Sequence, residues 1–101
     1  MNEDSSKNRL DLNKETAQFA WHELQRHFAA GMVLHLKDGH DLVEIAFQMS
    51  QDNTDFMAPL IEAKKLAAVE DQQALDWYER DVDVWGIIVH PWIIVQENKE
   101  A

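Results

Sequence analysis

The residues of this sequence that come nearest to a catalytic pattern are His22 and His27. His22 and Glu23 begin like the zinc-protease motif H-E-x-x-H, in which two histidines four residues apart share one helix face. Here the second histidine comes one residue late, and two helical residues at that spacing are separated by roughly 140° around the axis. Their imidazoles cannot reach one ion without unwinding the helix, so the spacing argues against a metal site.

Other groups that could take part in catalysis are scattered along the chain. Without cysteine, and with three isolated glycines, it lacks thiol chemistry and a phosphate-binding glycine loop. Of its three serines only Ser50 lies beyond the first six residues, and no G-x-S-x-G motif is present. We therefore assign no catalytic, cofactor-binding or metal-binding residue. One alternative stays open, a small-ligand- or metal-dependent enzyme that uses His22, His27 or His90 with nearby carboxylates.

An acid-rich segment near the end of the chain is the strongest candidate for a binding surface. Residues 70–83 contain six acids and one base. A calcium loop needs ligands around a central glycine, and no glycine lies in this segment. The pattern therefore indicates a solvated acidic face or a docking surface for a basic partner, in which an exposed tryptophan would serve as an anchor. The candidate interaction surface consists of Asp71, Asp76, Trp77, Glu79, Arg80, Asp81 and Asp83.

The overall charge narrows the classes of partner. Nineteen acids against nine bases give a formal net charge of −10. Nucleic-acid backbones and anionic membranes attract clustered lysine and arginine, and the only adjacent basic pair here is Lys64 with Lys65. The composition thus argues against nucleic acid and membrane partners and is compatible with a protein partner or a homodimer. The N-terminus lacks the basic and apolar regions of a signal peptide, which predicts a cytoplasmic protein.

The element that organises the predicted fold is the apolar stretch over residues 84–95. It is rich in β-branched side chains, which is typical of a strand buried on both faces. It also contains Pro91, which cannot donate a hydrogen bond to a sheet. A two-residue hairpin at His90 and Pro91 would need positive φ, which neither residue adopts readily. The pattern therefore favours one long strand, bent by a bulge at Pro91.

Upstream of this stretch the pattern predicts helices and short strands. Asn13 is a good N-cap for a first helix that ends at Gly31. Residues 41–51 fit a helix with an Asp41 cap better than a strand, which is the alternative. Pro59 predicts a kink or a late start in a helix over residues 54–64. The remaining predicted elements are strands at residues 32–36 and 66–69 and a helix at residues 72–80, with Ala74, Leu75 and Tyr78 facing inward.

Together these elements predict a small α+β domain in which helices pack on a short, mainly antiparallel sheet. The length of 101 residues, 46% of them apolar, predicts one domain. We expect a disordered tail over residues 1–10, a globular domain over residues 11–97 and a frayed end over residues 98–101. If the helix at residues 72–80 is an insertion, the order resembles that of winged-helix proteins. A winged-helix DNA binder is the weaker alternative, because the chain is acidic.

Four segments carry a resemblance to a known family. They are Leu12-Asn13-Lys14-Glu15-Thr16-Ala17, Trp21-His22-Glu23-Leu24-Gln25-Arg26-His27-Phe28-Ala29-Ala30-Gly31, Asp41-Leu42-Val43-Glu44-Ile45-Ala46 and, most specific, Pro91-Trp92-Ile93-Ile94-Val95-Gln96. They resemble an uncharacterised bacterial family, domain of unknown function 2288, over residues 10–97. Lys64 stands where the family leads us to expect glycine, and Pro59 is also unusual for it.

The resemblance implies a small intracellular bacterial protein and supplies no catalytic residue. Combined with the localised acidic charge and the missing catalytic parts, it predicts a non-enzymatic, acidic protein-interaction module of the bacterial cytosol. The enzymatic alternative and the weaker DNA-binding alternative remain beside it.

Overall fold

The apolar stretch near the end of the chain forms the middle of a five-stranded sheet in the computed structural model, which describes residues 9–98. The helices are α1 Arg9–Glu15, α2 Gln25–Ala29, α3 Leu42–Ser50, α4 Thr54–Glu62 and α5 Asp71–Arg80, with a 3₁₀ helix at Trp21–Leu24. The strands are β1 Ala17–Ala20, β2 Val33–Leu36, β3 Leu66–Ala68, β4 Asp83–Val89 and β5 Trp92–Gln96. Their order is β1-β4-β5-β2-β3, and all neighbours are antiparallel except β5 and β2. The predicted α+β class with a mainly antiparallel sheet is confirmed.

The predicted long strand with a bulge at Pro91 is wrong, because β4 and β5 form a hairpin that turns at His90 and Pro91. Val89 lies opposite Trp92 at the end of the antiparallel pair. The peptide bond between His90 and Pro91 is cis. A cis X–Pro bond can reverse the chain in a turn that does not need the positive φ of the common two-residue hairpins. Sequence pattern alone did not distinguish this turn from a bulge.

The predicted first helix is wrong in its extent, because a strand interrupts it. Helix α1 ends just before Thr16, whose hydroxyl donates to the carbonyl oxygen of Leu12 at 3.0 Å. Residues 17–20 then pair with β4 as strand β1, with Ala17 opposite Gly86. The apolar spacing fits a helix, but pairing satisfies the backbone groups along one edge of β4. Such a long-range gain overrides local propensity.

Hydrogen bonds hold both ends of the loop between β2 and α3. The predicted helix over residues 41–51 is confirmed as α3, and the Asp41 carboxylate caps it by accepting from the backbone N–H of Glu44 at 3.2 Å. Before the cap, the buried amide of Gln96 donates to the carbonyl oxygens of Lys37 and His40 at 3.0 and 2.8 Å. These contacts tie the loop to the centre of the sheet.

Helix α4 runs through Pro59 and ends in a left-handed turn. It begins at Thr54, so the predicted late start is wrong, and the backbone N–H of Ala63 reaches the carbonyl oxygen of Pro59 at 3.0 Å. Lys64 follows with φ of 59°, in the region where glycine has no steric penalty. This backbone conformation gives a physical reason for the glycine expected at this position.

The sheet separates two hydrophobic clusters. The first lies between the sheet and helices α1, α3 and α4, and it includes Leu12, Leu42 and Ile94. The second lies on the opposite face, under α5 and the 3₁₀ helix, and it includes Trp21 and Trp77, both fully buried. A winged-helix arrangement does not describe this fold, because all five strands join one sheet that carries helices on both faces. The helices on the second face frame the candidate site.

The described part of the chain begins inside the predicted tail. Helix α1 starts at Arg9, so residues 9 and 10 are helical rather than disordered. The rest of the predicted tail, residues 1–8, and most of the predicted frayed end, residues 99–101, lie outside the described residues. Within residues 9–98, no helix is long and apolar enough to cross a lipid bilayer.

Candidate binding surfaces beside helix α5

Helix α5 carries most of the acid-rich segment, and its orientation decides which predicted residues are accessible. Ala74 and Trp77, three residues apart, face the sheet and are buried. Leu75 and Tyr78, which the sequence predicts to face inward, are instead 49% and 48% exposed. The predicted orientation is wrong for these two residues, because the helix is rotated so that its largest side chain, the indole, fills the core. Burying an indole removes more apolar surface from water than burying either exposed side chain.

The inclusion of Trp77 in an accessible interaction surface is therefore wrong. Its indole packs against Trp21 with ring centres 5.0 Å apart and against His35 with ring centres 4.9 Å apart. Its Nε1 donates a hydrogen bond to Oε1 of Glu97 at 3.1 Å. A buried indole with a satisfied N–H belongs to the core, so a partner cannot contact it directly.

Asp76 and Arg80 form an ion-pair network with Glu97 rather than an open charged surface. Nη2 of Arg80 lies 2.6 Å from Oδ2 of Asp76 and 3.1 Å from Oε2 of Glu97. The hydrogen bonds from Arg80 lower the pKa of Asp76, and the hydrogen bonds to Asp76 and then Glu97 raise the pKa of Arg80. These charges compensate one another in part, which leaves less net charge to attract a partner.

The other acids of the predicted surface are exposed and come from α5, from its end and from the start of β4. Asp71 and Glu79 are exposed on α5. Asp81 ends that helix with φ of 55°, and its Oδ1 lies 3.3 Å from Nε2 of His22. Asp83 is the first residue of β4. The predicted surface therefore divides among the core, an ion-pair network, the helix surface and a strand end.

An apolar groove of about 300 Å³ lies between α2 and α5. Phe28 contributes from α2 and packs against Trp21, with ring centres 5.6 Å apart. None of the described residues that line the groove is basic. Sequence reasoning missed the groove because it assigned Leu75 and Tyr78 to the core. The lining consists of Gln25, Phe28, Asp71, Ala74, Leu75 and Tyr78.

The ring of Tyr78 is held at this groove by His22. The two ring centres are 4.3 Å apart and the ring planes are inclined by 30°. His22 in turn contacts the carboxylate of Asp81. The histidine that begins the H-E pattern therefore positions an aromatic side chain.

A polar pocket of about 250 Å³ lies on the other side of α5. His35 of β2 lines it, and burial, followed by the charge of Lys37, lowers the pKa of this imidazole. Sequence reasoning missed the pocket because its residues come from β2, the end of α4, β3 and the start of α5. The described lining consists of His35, Lys37, Ala63, Lys64, Ala67, Ala68, Glu70 and Gln73.

The histidines of the enzymatic alternative lie on different elements. His22 and His27 are exposed on the 3₁₀ helix and α2, and His90 is exposed in the turn between β4 and β5. Over residues 9–98, no three histidine, aspartate or glutamate side chains come together in a group that could hold a metal ion. The described residues therefore do not bring these histidines together into a group of three metal ligands.

The chain is similar to a family of proteins and to a solved structure. The model of the family described as "Protein of unknown function (DUF2288)" matches residues 7–97. The NMR solution structure of PA1075 from Pseudomonas aeruginosa is 33% identical, with a TM-score of 0.79, and the match covers 99% of this chain and 94% of that one. None of the curated proteins matches. The matched residues include both surfaces beside α5.

Proposed function

We propose that this chain, which belongs to the DUF2288 family of proteins of unknown function, is a non-enzymatic module that binds another protein through the groove between α2 and α5. The bound segment carries apolar side chains flanked by lysine or arginine. The observation that carries the proposal is the joint exposure of Leu75 and Tyr78 at an apolar groove with acidic neighbours.

The groove is suited to an apolar anchor. Leu75 and Tyr78 are three residues apart on α5 and so share one side of the helix, and Phe28 with Ala74 continues the apolar lining. Exposed apolar clusters with polar rims mark interaction sites, and tyrosine is enriched at the centres of such sites. The volume of about 300 Å³ lies at the lower end of the range for ligand pockets. It therefore suits one or two side chains of a partner better than a large ligand.

The charge around the groove favours a basic partner. Asp71 lines the groove, and Glu79 follows Leu75 by one turn; both acids are exposed. The whole chain carries a formal charge of −10, which attracts a basic partner over a distance and speeds association. In a symmetric dimer through this groove, the acidic residues of one copy would face the same acidic residues of the other, and like charges repel. A second copy of the chain is therefore the less favourable occupant.

Part of the predicted interaction surface belongs to this proposal. Asp71 and Glu79 supply its charge, whereas Asp76 and Arg80 are engaged with each other. The proposed setting is the bacterial cytosol. A chain without cysteine needs no oxidising compartment for disulfide formation, and the similar solved structure is of a Pseudomonas aeruginosa protein.

A crosslinking pull-down from bacterial lysate with matched variants tests the groove. Leu75→Ser removes its apolar anchor, and the control Ile61→Ser makes a similar change on α4, where Ile61 is 55% exposed. Each substitution at such exposed sites should change stability by about 0.5 kcal/mol or less. We expect proteins captured by the wild type and by Ile61→Ser to be lost from Leu75→Ser. Capture that survives Leu75→Ser, or that fails equally with Ile61→Ser, would contradict the proposal.

A second pair of variants tests the charge. Asp71→Lys with Glu79→Lys reverses the acids beside the groove, and Asp55→Lys with Glu62→Lys makes the same change in net charge on α4, where both acids are exposed. Only the first pair should release the partner.

Sedimentation velocity tests whether a second copy of the chain occupies the groove, since we expect a monomer. A dimer that Leu75→Ser dissociates would assign the groove to a second copy and overturn the proposed partner.

A further inference from the structure

We propose that the pocket formed by β2, β3 and the start of α5 binds a small oxyanion, a phosphate or carboxylate group, through Lys37, Lys64 and His35. This pocket shares no lining residue with the groove between α2 and α5. The inference therefore does not depend on the proposed protein partner, and each can fail without the other.

The pocket has a small-residue floor and polar walls. Ala67 lies directly opposite His35 in the β2–β3 pair, so the two side chains share one face of the sheet. The short side chain of Ala67 leaves space in which Lys37 and Lys64 line the walls, and the neighbouring residue Ala68 completes the lining at the end of β3. The volume of about 250 Å³ is several times the share of one water in the liquid, which is about 30 Å³. The space therefore accepts a group of several non-hydrogen atoms.

The residues that line the pocket carry a net positive charge, whereas the whole chain is negative; two acids outside this lining, Asp38 and Glu97, also act on His35. The described lining of the pocket carries two positive charges, on Lys37 and Lys64, against one negative charge on Glu70. The chain as a whole is strongly acidic, with nine basic residues in 101. Two of these nine lie on one concave site, where they favour an anion because a concave protein surface focuses the field of the charges that line it.

His35 and Gln73 add directional hydrogen-bond donors to the lysines. The imidazole packs nearly perpendicular to the ring of Trp77, at 75° between planes, and this contact restricts its orientation. A neutral imidazole offers one N–H donor, and protonation adds a second. The start of α5 contributes Gln73 and the positive end of the helix dipole, where Glu70 makes no capping hydrogen bond with its side chain. The pocket therefore combines two cations with the N–H donors of His35 and Gln73, whose Nε2 also donates to Oδ2 of Asp76 at 3.4 Å.

Binding of an anion would change the charge balance at His35. The groups that act on its pKa are Lys37, which lowers it together with burial, and Asp38, Glu97 and Glu70, which raise it. A bound phosphate adds negative charge beside the ring and offsets the charge of Lys37. Occupancy of the pocket therefore raises the pKa of His35, so a titration of this imidazole measures binding at the pocket.

NMR titration of the full chain with inorganic phosphate, and separately with acetate, tests this inference. Sodium chloride at matched ionic strength is the reference. We expect saturable shifts of the backbone amides of Lys64, Ala67 and Gln73, and a higher pKa for His35 in phosphate. Of phosphate and acetate, the anion that binds with the higher affinity identifies the group that the pocket prefers. Shifts that chloride reproduces, or that do not saturate, would overturn the proposal.

Matched variants link the binding to the two lysines. Lys37→Gln with Lys64→Gln should weaken binding about tenfold or more, since each removes a charge-assisted hydrogen bond. Lys14→Gln with Arg26→Gln removes the same charge from exposed positions on α1 and α2 and should leave affinity nearly unchanged. Equal weakening by both pairs would show that only overall charge matters, and the assigned pocket would be wrong.

Discussion

The two sides of helix α5 differ in the properties that govern binding. Toward α2 the helix presents Leu75 and Tyr78 to an apolar groove, and toward β3 it presents Gln73 to a polar pocket with two lysines. Trp77 lies between them and contacts Trp21 and His35. Ala74 and Trp77 are the buried residues of the helix. A narrow buried face therefore leaves both flanks of one helix for two different kinds of ligand.

The contrast also predicts how each side responds to salt. Binding in the groove depends mainly on burial of apolar surface, which salt does not screen. Binding in the pocket depends on exposed charges, whose attraction salt screens with a Debye length of roughly 8 Å at physiological ionic strength. An anion should therefore leave the pocket at salt concentrations that still permit capture of a partner in the groove. The four predictions that follow test the placement of the two surfaces around α5 and the sheet beneath them, from the largest expected effect to the smallest.

The first prediction concerns the tryptophan that both surfaces share. Trp77→Ala should destabilise the fold by about 3–5 kcal/mol, because it removes a fully buried indole and leaves a cavity. Both surfaces should then be lost together. Urea unfolding followed by circular dichroism measures the change. Tyr78→Ala, one residue later and half exposed, is the control and should have a much smaller effect. Similar losses for the two variants would mean that α5 is oriented differently.

The second prediction disturbs the β1 edge of the sheet, at the opposite end of the strand order from the pocket. A Cβ at Gly86 would lie 2.9 Å from Cδ2 of Phe19, so Gly86→Ala should destabilise the fold by about 1–3 kcal/mol through overpacking. Chemical denaturation measures this loss, while amide shifts near Lys64 should stay as in the wild type. Adding Phe19→Leu should recover part of it, because the clash is with the ring. Purely additive losses would contradict the close contact.

Local signals made several elements of the fold predictable from sequence. The Asp41 cap and the β-branched run over residues 84–95 each act within a few residues of where they lie. Strand β1 was not predictable in this way, because its partner Gly86 lies far along the chain. That glycine inside an apolar run was the available signal, since it permits the close approach of Phe19.

The candidate site was less accessible to sequence reasoning than the fold. The sequence placed Asp71 and Glu79 in a candidate interaction surface; both are exposed, and their role in binding stays a prediction. The rotation of α5 depends on the space beside Trp21, which no pattern in residues 71–80 reveals. The polar pocket is formed where four separate elements meet, so its lining residues do not form a motif in the sequence. The charge and capping of a segment can thus be predicted from its own sequence, whereas the orientation of a helix depends on the elements that pack against it.

The third prediction separates stability from binding at the pocket. Lys64 has φ of 59°, so Lys64→Gly should stabilise the fold by about 0.5–1 kcal/mol by relieving the left-handed conformation. The same change removes a pocket cation and should weaken phosphate binding. Thermal unfolding and phosphate titration measure the two effects. Lys65→Gly is the control and should not stabilise, because Lys65 is not among the described non-glycine residues with positive φ. A loss of stability in Lys64→Gly would contradict this explanation.

The fourth prediction uses pH to act on the pocket side of α5. In the folded chain, burial and Lys37 lower the pKa of His35 from its ordinary value of 6.5. Between this lowered pKa and 6.5, the unfolded chain therefore binds more protons than the folded chain. The contribution of His35 to the free energy of unfolding should therefore be fully present above pH 6.5 and should be lost as the pH decreases through the lowered pKa. His35→Gln should flatten this part of the profile, measured as urea midpoints at several pH values. His27→Gln, at an exposed position, should not, and equal profiles for both variants would refute the assignment.

Strand β5 has a consequence for how this protein is made. It pairs antiparallel with β4 and parallel with β2, so it is the strand that joins β1 and β4 to β2 and β3. It also follows every other described strand along the chain. During synthesis, the two parts of the sheet lack the strand that joins them until β5 is made, so we expect the edges of β2 and β4 that pair with it to be open to other chains until then. Since Ile93 and Val95 of β5 lie in the same cluster as Ala74 and Trp77, we expect helix α5 and the surfaces on either side of it to take their final positions only once this strand has paired.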